Sequence, residues 1–199
     1  MTKSGSAPIL GAALAIGLAL APQLALADAS SIARRLGGEI QASAVDHPEF
    51  DVSWGKAIGV VDAPFEDVLS TVRGYQDYRE FLPHFHESRV LAQRGDRARV
   101  YLEAGIIHNT VTLWAQMEMD RVASRGQTQI IEARMLDGNM ERFLARWEVA
   151  PLDGGQRALV AFQLLVDPDL PLPASIFTEE NVSSARRTIR ALRRRLTAG

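Results

Sequence analysis

Between Glu87 and Val166 the chain repeats one pattern: a short strand-like run, then a turn signal, then another run. The runs are approximately Glu87 to Gln93, Arg97 to Ala104, Thr110 to Met119, Gln127 to Met135, Met140 to Val149 and Arg157 to Val166. Between them stand Arg94-Gly95-Asp96, Arg125-Gly126, Asp137-Gly138-Asn139 and Asp153-Gly154-Gly155. Glycine and asparagine accept positive φ cheaply, so these are hairpin signals, and consecutive hairpins build an antiparallel meander. Side chains alternate between the faces of a strand. Val111, Leu113, Ala115, Met117 and Met119 share one side, against Thr110, Thr112, Gln116 and Glu118. Phe143, Ala145, Trp147 and Val149 oppose Arg142, Arg146 and Glu148 in the same way, and Val100, Leu102 and Ala104 oppose Arg99 and Glu103. The pattern predicts a sheet with one apolar and one wet face.

Such a sheet needs a cover. Val182, Ala185, Ile189, Leu192 and Leu196 recur at 3,4,3,4 spacing along an otherwise polar segment, which predicts a long C-terminal helix with one apolar stripe. Before it, "VDPDLPLP" (Val166 to Pro173) is an extended connection, because its three prolines exclude a helix. Upstream, Val52 to Val61 reads as a strand that stops at Asp62-Ala63-Pro64. Asp62 is placed to cap a short helix carrying Phe65, Val68, Leu69 and Val72, which Gly74 ends. A second short helix offers Tyr75, Tyr78 and Phe81 or Leu82 before Pro83 breaks it. The segment from Ser31 to Ala44 is ambiguous between a helix and a strand start.

This order of elements resembles the helix-grip fold of the START and Bet v 1-like (SRPBCC) superfamily. The expectation is an α+β fold: a curved antiparallel sheet of about seven strands around a long C-terminal helix, with two short helices after the first strand. "DAPFEDVLSTVRGYQDYREFLPHFHESRVL" (Asp62 to Leu91) resembles the early region of the polyketide cyclase/dehydrase and coenzyme Q-binding START families. There a "P-x-x-V" helix leads to a "Y-x-x-F-x-P" turn. Here the letters are Pro64, Val68, Tyr78, Phe81 and Pro83, the first pair shifted from strict spacing. "WEVAPLDGGQRALVAFQLLVDPDLPLP" (Trp147 to Pro173) is similar to the family's closing hairpin and its proline-containing approach to the final helix.

The resemblance implies a hydrophobic or amphipathic ligand, such as a lipid, quinone or polyketide-like molecule, held between sheet and helix. A bent single sheet and one helix do not close completely, and apolar side chains line the gap. Met117, Met119, Phe143, Trp147, Phe162, Ile189 and Leu192 are the expected cavity-lining residues. Two methionines two apart on one strand suit a pocket that repacks around varied ligands. The leading reading is therefore a carrier without catalytic residues. The alternative is a cyclase or dehydratase with acid or base groups such as His84, His86, Glu103 or Tyr101 facing the cavity.

In an extended segment His84 and His86 share a side and could share a metal. A catalytic zinc takes three protein ligands, however, and the remaining histidines, His47 and His108, stand at no recognisable spacing, with no cysteine in the chain. No metal and no cofactor is expected. The pair reads instead as a helix-to-strand junction in which Pro83 ends the helix and Phe85 turns into the core. The chain contains no G-x-S-x-G elbow, phosphate-binding glycine loop, H-E-x-x-H or G-x-G-x-x-G.

Lys3, the apolar run from Ile9 to Leu20 and Ala25-Leu26-Ala27 read as a secretory signal cleaved after Ala27, leaving a single domain over 28–199. The apolar run is shorter than the roughly 20 residues of a membrane-spanning helix. A cleaved signal with no cysteine suits a bacterial periplasm. Without Lys3, 21 basic residues face 24 acidic ones, a net charge of 21 − 24 = −3, so no nucleic-acid partner is expected. One basic concentration stands out at Arg186, Arg187, Arg190, Arg193, Arg194 and Arg195. It is either the solvated end of a helix or a face for transient contact with an anionic membrane surface.

Overall fold

The computed structural model describes residues 26–106 and 110–197, and so it leaves His108 and all but the end of the expected signal segment outside the described residues. Eight antiparallel strands form one open sheet: β1 (Gln41–His47), β2 (Phe50–Val61), β3 (Phe85–Arg94), β4 (Arg97–Ile106), β5 (Val111–Arg125), β6 (Thr128–Gly138), β7 (Arg142–Leu152) and β8 (Arg157–Asp167). Their order is β1-β2-β8-β7-β6-β5-β4-β3, so the only non-sequential neighbours are β2 and β8. The helices are α1 (Leu26–Leu36), α2 (Phe65–Arg73), the single turn α3 (Tyr78–Phe81) and the long α4 (Ala174–Thr197). The α+β helix-grip architecture is as expected, with one strand more than the seven anticipated.

The extra strand comes from the ambiguous segment. α1 ends where Gly37 and Gly38 adopt φ of 54° and 92°, and β1 then pairs with β2 from Gln41↔Ile58 onwards. α1 also corrects the picture of a sheet wet on one side. Ile58, Val60, Ala150, Leu152, Leu159 and Ala161 form an apolar cluster on the convex face, which Ala29, Ile32, Ala33 and Leu36 of α1 cover. β8 is accordingly buried from Ala158 to Leu165 on both faces. Farther along the convex face, Arg146 bonds Glu148 at 2.9 Å and Glu132 at 2.6 Å, so these partly buried charges are paired.

Two further readings are adjusted. Asp62 does not cap α2: the N-cap is Pro64 with no side-chain bond, and the Asp62 carboxylate lies 3.3 Å from Arg157. β5 runs six residues past Met119, because an irregularity between Arg121 and Ala123 breaks the period of two that sets the predicted strand end.

At one end the sheet parts. β6 and β7 separate after Arg134↔Leu144, while β6 stays with β5 as far as Gly138 and β7 stays with β8 as far as Arg142. Asp137-Gly138-Asn139 is therefore not the tight hairpin turn anticipated. The Asn139 side chain accepts the Trp114 N–H at 2.8 Å and donates to the Thr112 carbonyl at 2.9 Å, finishing the β5 ladder.

α4 crosses the concave side. Of the predicted apolar stripe, Ala185, Ile189 and Leu192 are buried and Val182 and Leu196 half-buried, while Phe177, Asn181, Thr188 and Ala191, outside that stripe, are buried as well. Asn181 bridges β2 and β8 beyond their last pair, Gly55↔Leu164, by donating to the Ser53 and Val166 carbonyls and accepting the Val166 N–H, each at 3.3 Å. The helix passes so close that a Cβ on Gly55 would lie 2.1 Å from the Asn181 backbone.

Candidate ligand cavity

Between α4, the short helices and the concave sheet lies a cavity in which the centre of a water-sized sphere can move through about 120 Å3. Its floor explains why it stays open. Inward positions on four neighbouring strands carry alanine: Ala104 on β4, Ala115 on β5, Ala133 on β6 and Ala145 on β7. Ala133 and Ala145 face one another directly, and Met119 faces Ala133 from the other side.

Five of the seven expected lining residues, Met117, Met119, Phe143, Trp147 and Phe162, border the cavity. Trp147 and Phe162 are cross-strand partners with ring centroids 4.2 Å apart. Ile189 and Leu192 are placed elsewhere: both are fully buried in the core and do not border the open space. α4 turns Glu180, Ser184 and Thr188 towards the cavity instead. The 3,4,3,4 pattern identified the packing stripe of α4, whereas the cavity meets a neighbouring, more polar stripe at spacing four.

The opposite wall comes from α3 and the start of β3. Tyr78 is buried, with its ring edge-on to Tyr75, Phe81 and Phe85. Its hydroxyl donates to the Val72 carbonyl at 2.6 Å. Burial, reinforced by Tyr75, holds the phenol well above its ordinary pKa, so it is a neutral wall rather than a base.

The titratable candidates do not converge. His84 borders the cavity at an exposed position with φ of 70°, and its carbonyl accepts the Gly105 N–H at 2.9 Å. That left-handed residue, and an irregularity in pairing between Phe85 and Glu87 that includes His86, remove the extended geometry under which the two imidazoles would share a side. His86 does not border the cavity. Tyr101 and Glu103 alternate with the inward Val100 and Leu102 and face the convex side. There the Tyr101 hydroxyl donates to Glu103 at 3.1 Å, its ring stacks on Trp114, and the Arg89 guanidinium lies 4.9 Å from its centroid. Burial and the bond to Glu103 raise the Tyr101 pKa. At the cavity mouth, Glu180 is engaged by Arg187 and by the Ser184 hydroxyl at 3.2 Å.

An open antiparallel sheet that grips a C-terminal helix over an apolar hollow defines the helix-grip class. The chain belongs to the polyketide cyclase / dehydrase and lipid transport family, whose model matches residues 61–193. Similar folds include a START superfamily protein from Mycobacterium smegmatis, at 19% identity and TM-score 0.64 over 73% of this chain and 97% of that one. A STAR-related lipid transfer protein from Xanthomonas axonopodis matches at 15% identity and TM-score 0.69, covering 79% and 93% of the two chains. The Zhui aromatase/cyclase from Streptomyces matches at 16% identity and TM-score 0.55, covering 73% and 97%. No curated protein matches the chain by sequence.

Proposed function

We propose that this protein is an exported carrier that holds a hydrophobic small molecule, a lipid, quinone or polyketide-like compound, in the cavity between sheet and α4. The observation that carries this reading is an apolar hollow between sheet and helix, bordered by alanines at inward positions of four strands. Ligand affinity comes from burial of apolar surface, about 25 cal/mol per Å2. The similarity to a lipid transfer protein supports the carrier, and the similarity to an aromatase/cyclase supports the enzyme alternative at the level of fold alone. The carrier is favoured because an acid–base enzyme needs convergent titratable groups, and of His84, His86, Tyr101 and Glu103 only His84 borders the cavity.

Export rests on the apolar run Ile9 to Leu20 and the Ala25-Leu26-Ala27 site. Cleavage after Ala27 retains Ala29, Ile32, Ala33 and Leu36, with which α1 covers the convex face. The exposed arginines of α4 give the carrier a transient hold on anionic membrane surfaces. Native mass spectrometry of protein purified from its own host tests the reading. A stoichiometric hydrophobic compound on a chain beginning at Asp28 is expected. An empty protein that turns over an aromatic polyketide, and loses that activity in His84→Ala, would establish the enzyme instead.

A further inference from the structure

Thr188 is the one hydroxyl-bearing side chain of α4 that borders the cavity and is almost wholly enclosed, with 7% of its surface exposed. Helix threonines commonly bond the carbonyl four residues back, and Thr71 and Thr197 do so here, at 2.8 Å to Asp67 and 2.9 Å to Arg193. Thr178 accepts the Ser53 N–H at 3.0 Å. Among the described residues Thr188 has no such partner. Its hydroxyl is nevertheless not sealed in protein: the enclosed side-chain atoms lacking a partner are Gln129 Oε1, Arg142 Nε, Arg187 Nε and Arg193 Nη2. The hydroxyl therefore meets open space, and the open space beside Thr188 is the cavity.

Along α4, exposure falls from Glu180 through Ser184 to Thr188. Eight residues at 1.5 Å each put Thr188 about 12 Å further along the helix than the Glu180 mouth. Glu180 is already bonded to Arg187 and Ser184, and among the described residues no arginine or lysine borders the cavity. A carboxylate or phosphate carried in to Thr188 would be a buried charge without a counter-ion, whereas a neutral oxygen would find a hydroxyl that both donates and accepts.

We propose that the cavity takes a neutral amphipathic ligand, an alcohol, ketone or quinone, whose oxygen goes in first and hydrogen-bonds Thr188. This deepens the carrier reading and rests on it. The test compares 2-naphthol, 2-methylnaphthalene and 2-naphthoate by calorimetry on the wild type, Thr188→Val and Thr188→Ser. A purely apolar hollow prefers the methyl compound. Thr188 reverses that order: 2-naphthol binds the wild type about fivefold more tightly than 2-methylnaphthalene, the size of one net hydrogen bond. Thr188→Val loses the preference by weakening 2-naphthol alone, Thr188→Ser keeps it, and 2-naphthoate binds more weakly than 2-naphthol throughout. Equal wild-type affinities, a preference that survives in Thr188→Val, or tight binding of 2-naphthoate overturns this inference and leaves the carrier standing. If none of the three binds, both readings fall together.

Discussion

On the four strands beneath the cavity, inward positions 104, 115, 133 and 145 carry a single methyl group each, and room for a ligand depends on them. Ala133 sits between Met119 and Ala145 at the centre of this floor. Ala133→Leu adds three carbons to the hollow, and about tenfold or greater loss of 2-naphthol affinity is expected by calorimetry. Filling empty space offsets most of the strain of added volume, so the melting temperature should move by only about 4 °C or less, within roughly 1 kcal/mol. Tyr78 permits a second prediction from the same wall. Its phenol ionises near pH 10 when unfolded but stays protonated in the fold, so the folded state binds more protons above that pH. Stability is then fully present below about pH 10 and falls as pH rises beyond it, by up to about 1.4 kcal/mol per pH unit for this group. Denaturant melts of Tyr78→Phe should start lower at pH 7, for want of the bond to Val72, and decline less steeply between about pH 10 and pH 11 than the wild type. An identical alkaline slope would mean that Tyr78 titrates normally in the fold.

The elements differ in how openly the sequence displays them. β4, β5, β7 and α4 were legible because each has one apolar side, and period two or 3.6 exposes it directly. β1 was not, since "QASAVDH" is an edge strand with no buried position to set an alternation. β8 misled in the opposite direction: α1 covers its convex side, so both faces are apolar and the wet-face rule fails there. The cavity lay partly hidden for a related reason. Apolar patterning scores alanine with methionine, although one leaves space and the other fills it, and it passes over Asn181 and Thr188 because they are polar at buried positions. Where α4 meets β2 the decisive residue is a glycine in the middle of a strand. A methyl on Gly55 would meet the Asn181 carbonyl carbon and oxygen at 2.1 Å and the Val182 nitrogen at 2.4 Å, all backbone atoms that cannot rotate aside. Gly55→Ala must lift α4 off the sheet and strain the Asn181 bridge, at a cost of about 3 kcal/mol or more. A melting temperature lower by roughly 6 to 12 °C is expected for a chain of this size. A variant that melts with the wild type would show that α4 does not cross β2 so closely.

Across the whole molecule charge is unevenly used. The chain is slightly acidic, yet six arginines crowd the end of α4. Three of them have structural partners: Arg187 holds Glu180, Arg195 holds Glu80 at 2.9 Å, and Arg193 donates to the carbonyls of Val60 at 2.7 Å and Gly38 at 2.9 Å. Arg193 is partly desolvated there, which lowers its pKa. Arg186, Arg190 and Arg194 are exposed at spacing four and form one stripe without ion pairs among the described residues. The macrodipole favours cations in the last turn, which accounts for Arg194 but not for Arg186, more than two turns earlier. A carrier that collects or delivers its cargo at a bilayer gains from such a stripe, since each arginine near an anionic surface contributes about 1 kcal/mol. Replacing Arg186, Arg190 and Arg194 together with glutamine should lower partitioning onto phosphatidylglycerol-containing vesicles by about one to two orders of magnitude at low salt. The wild type should lose the same advantage as ionic strength rises from about 0.01 M to 1 M, where the screening length shrinks from roughly 30 Å to 3 Å. Affinity for 2-naphthol in solution should be unchanged in the triple variant, because none of the three residues borders the cavity. Co-sedimentation with vesicles and calorimetry on one protein sample separate the two properties. Equal sedimentation of wild type and variant would leave the stripe as a solvated helix surface.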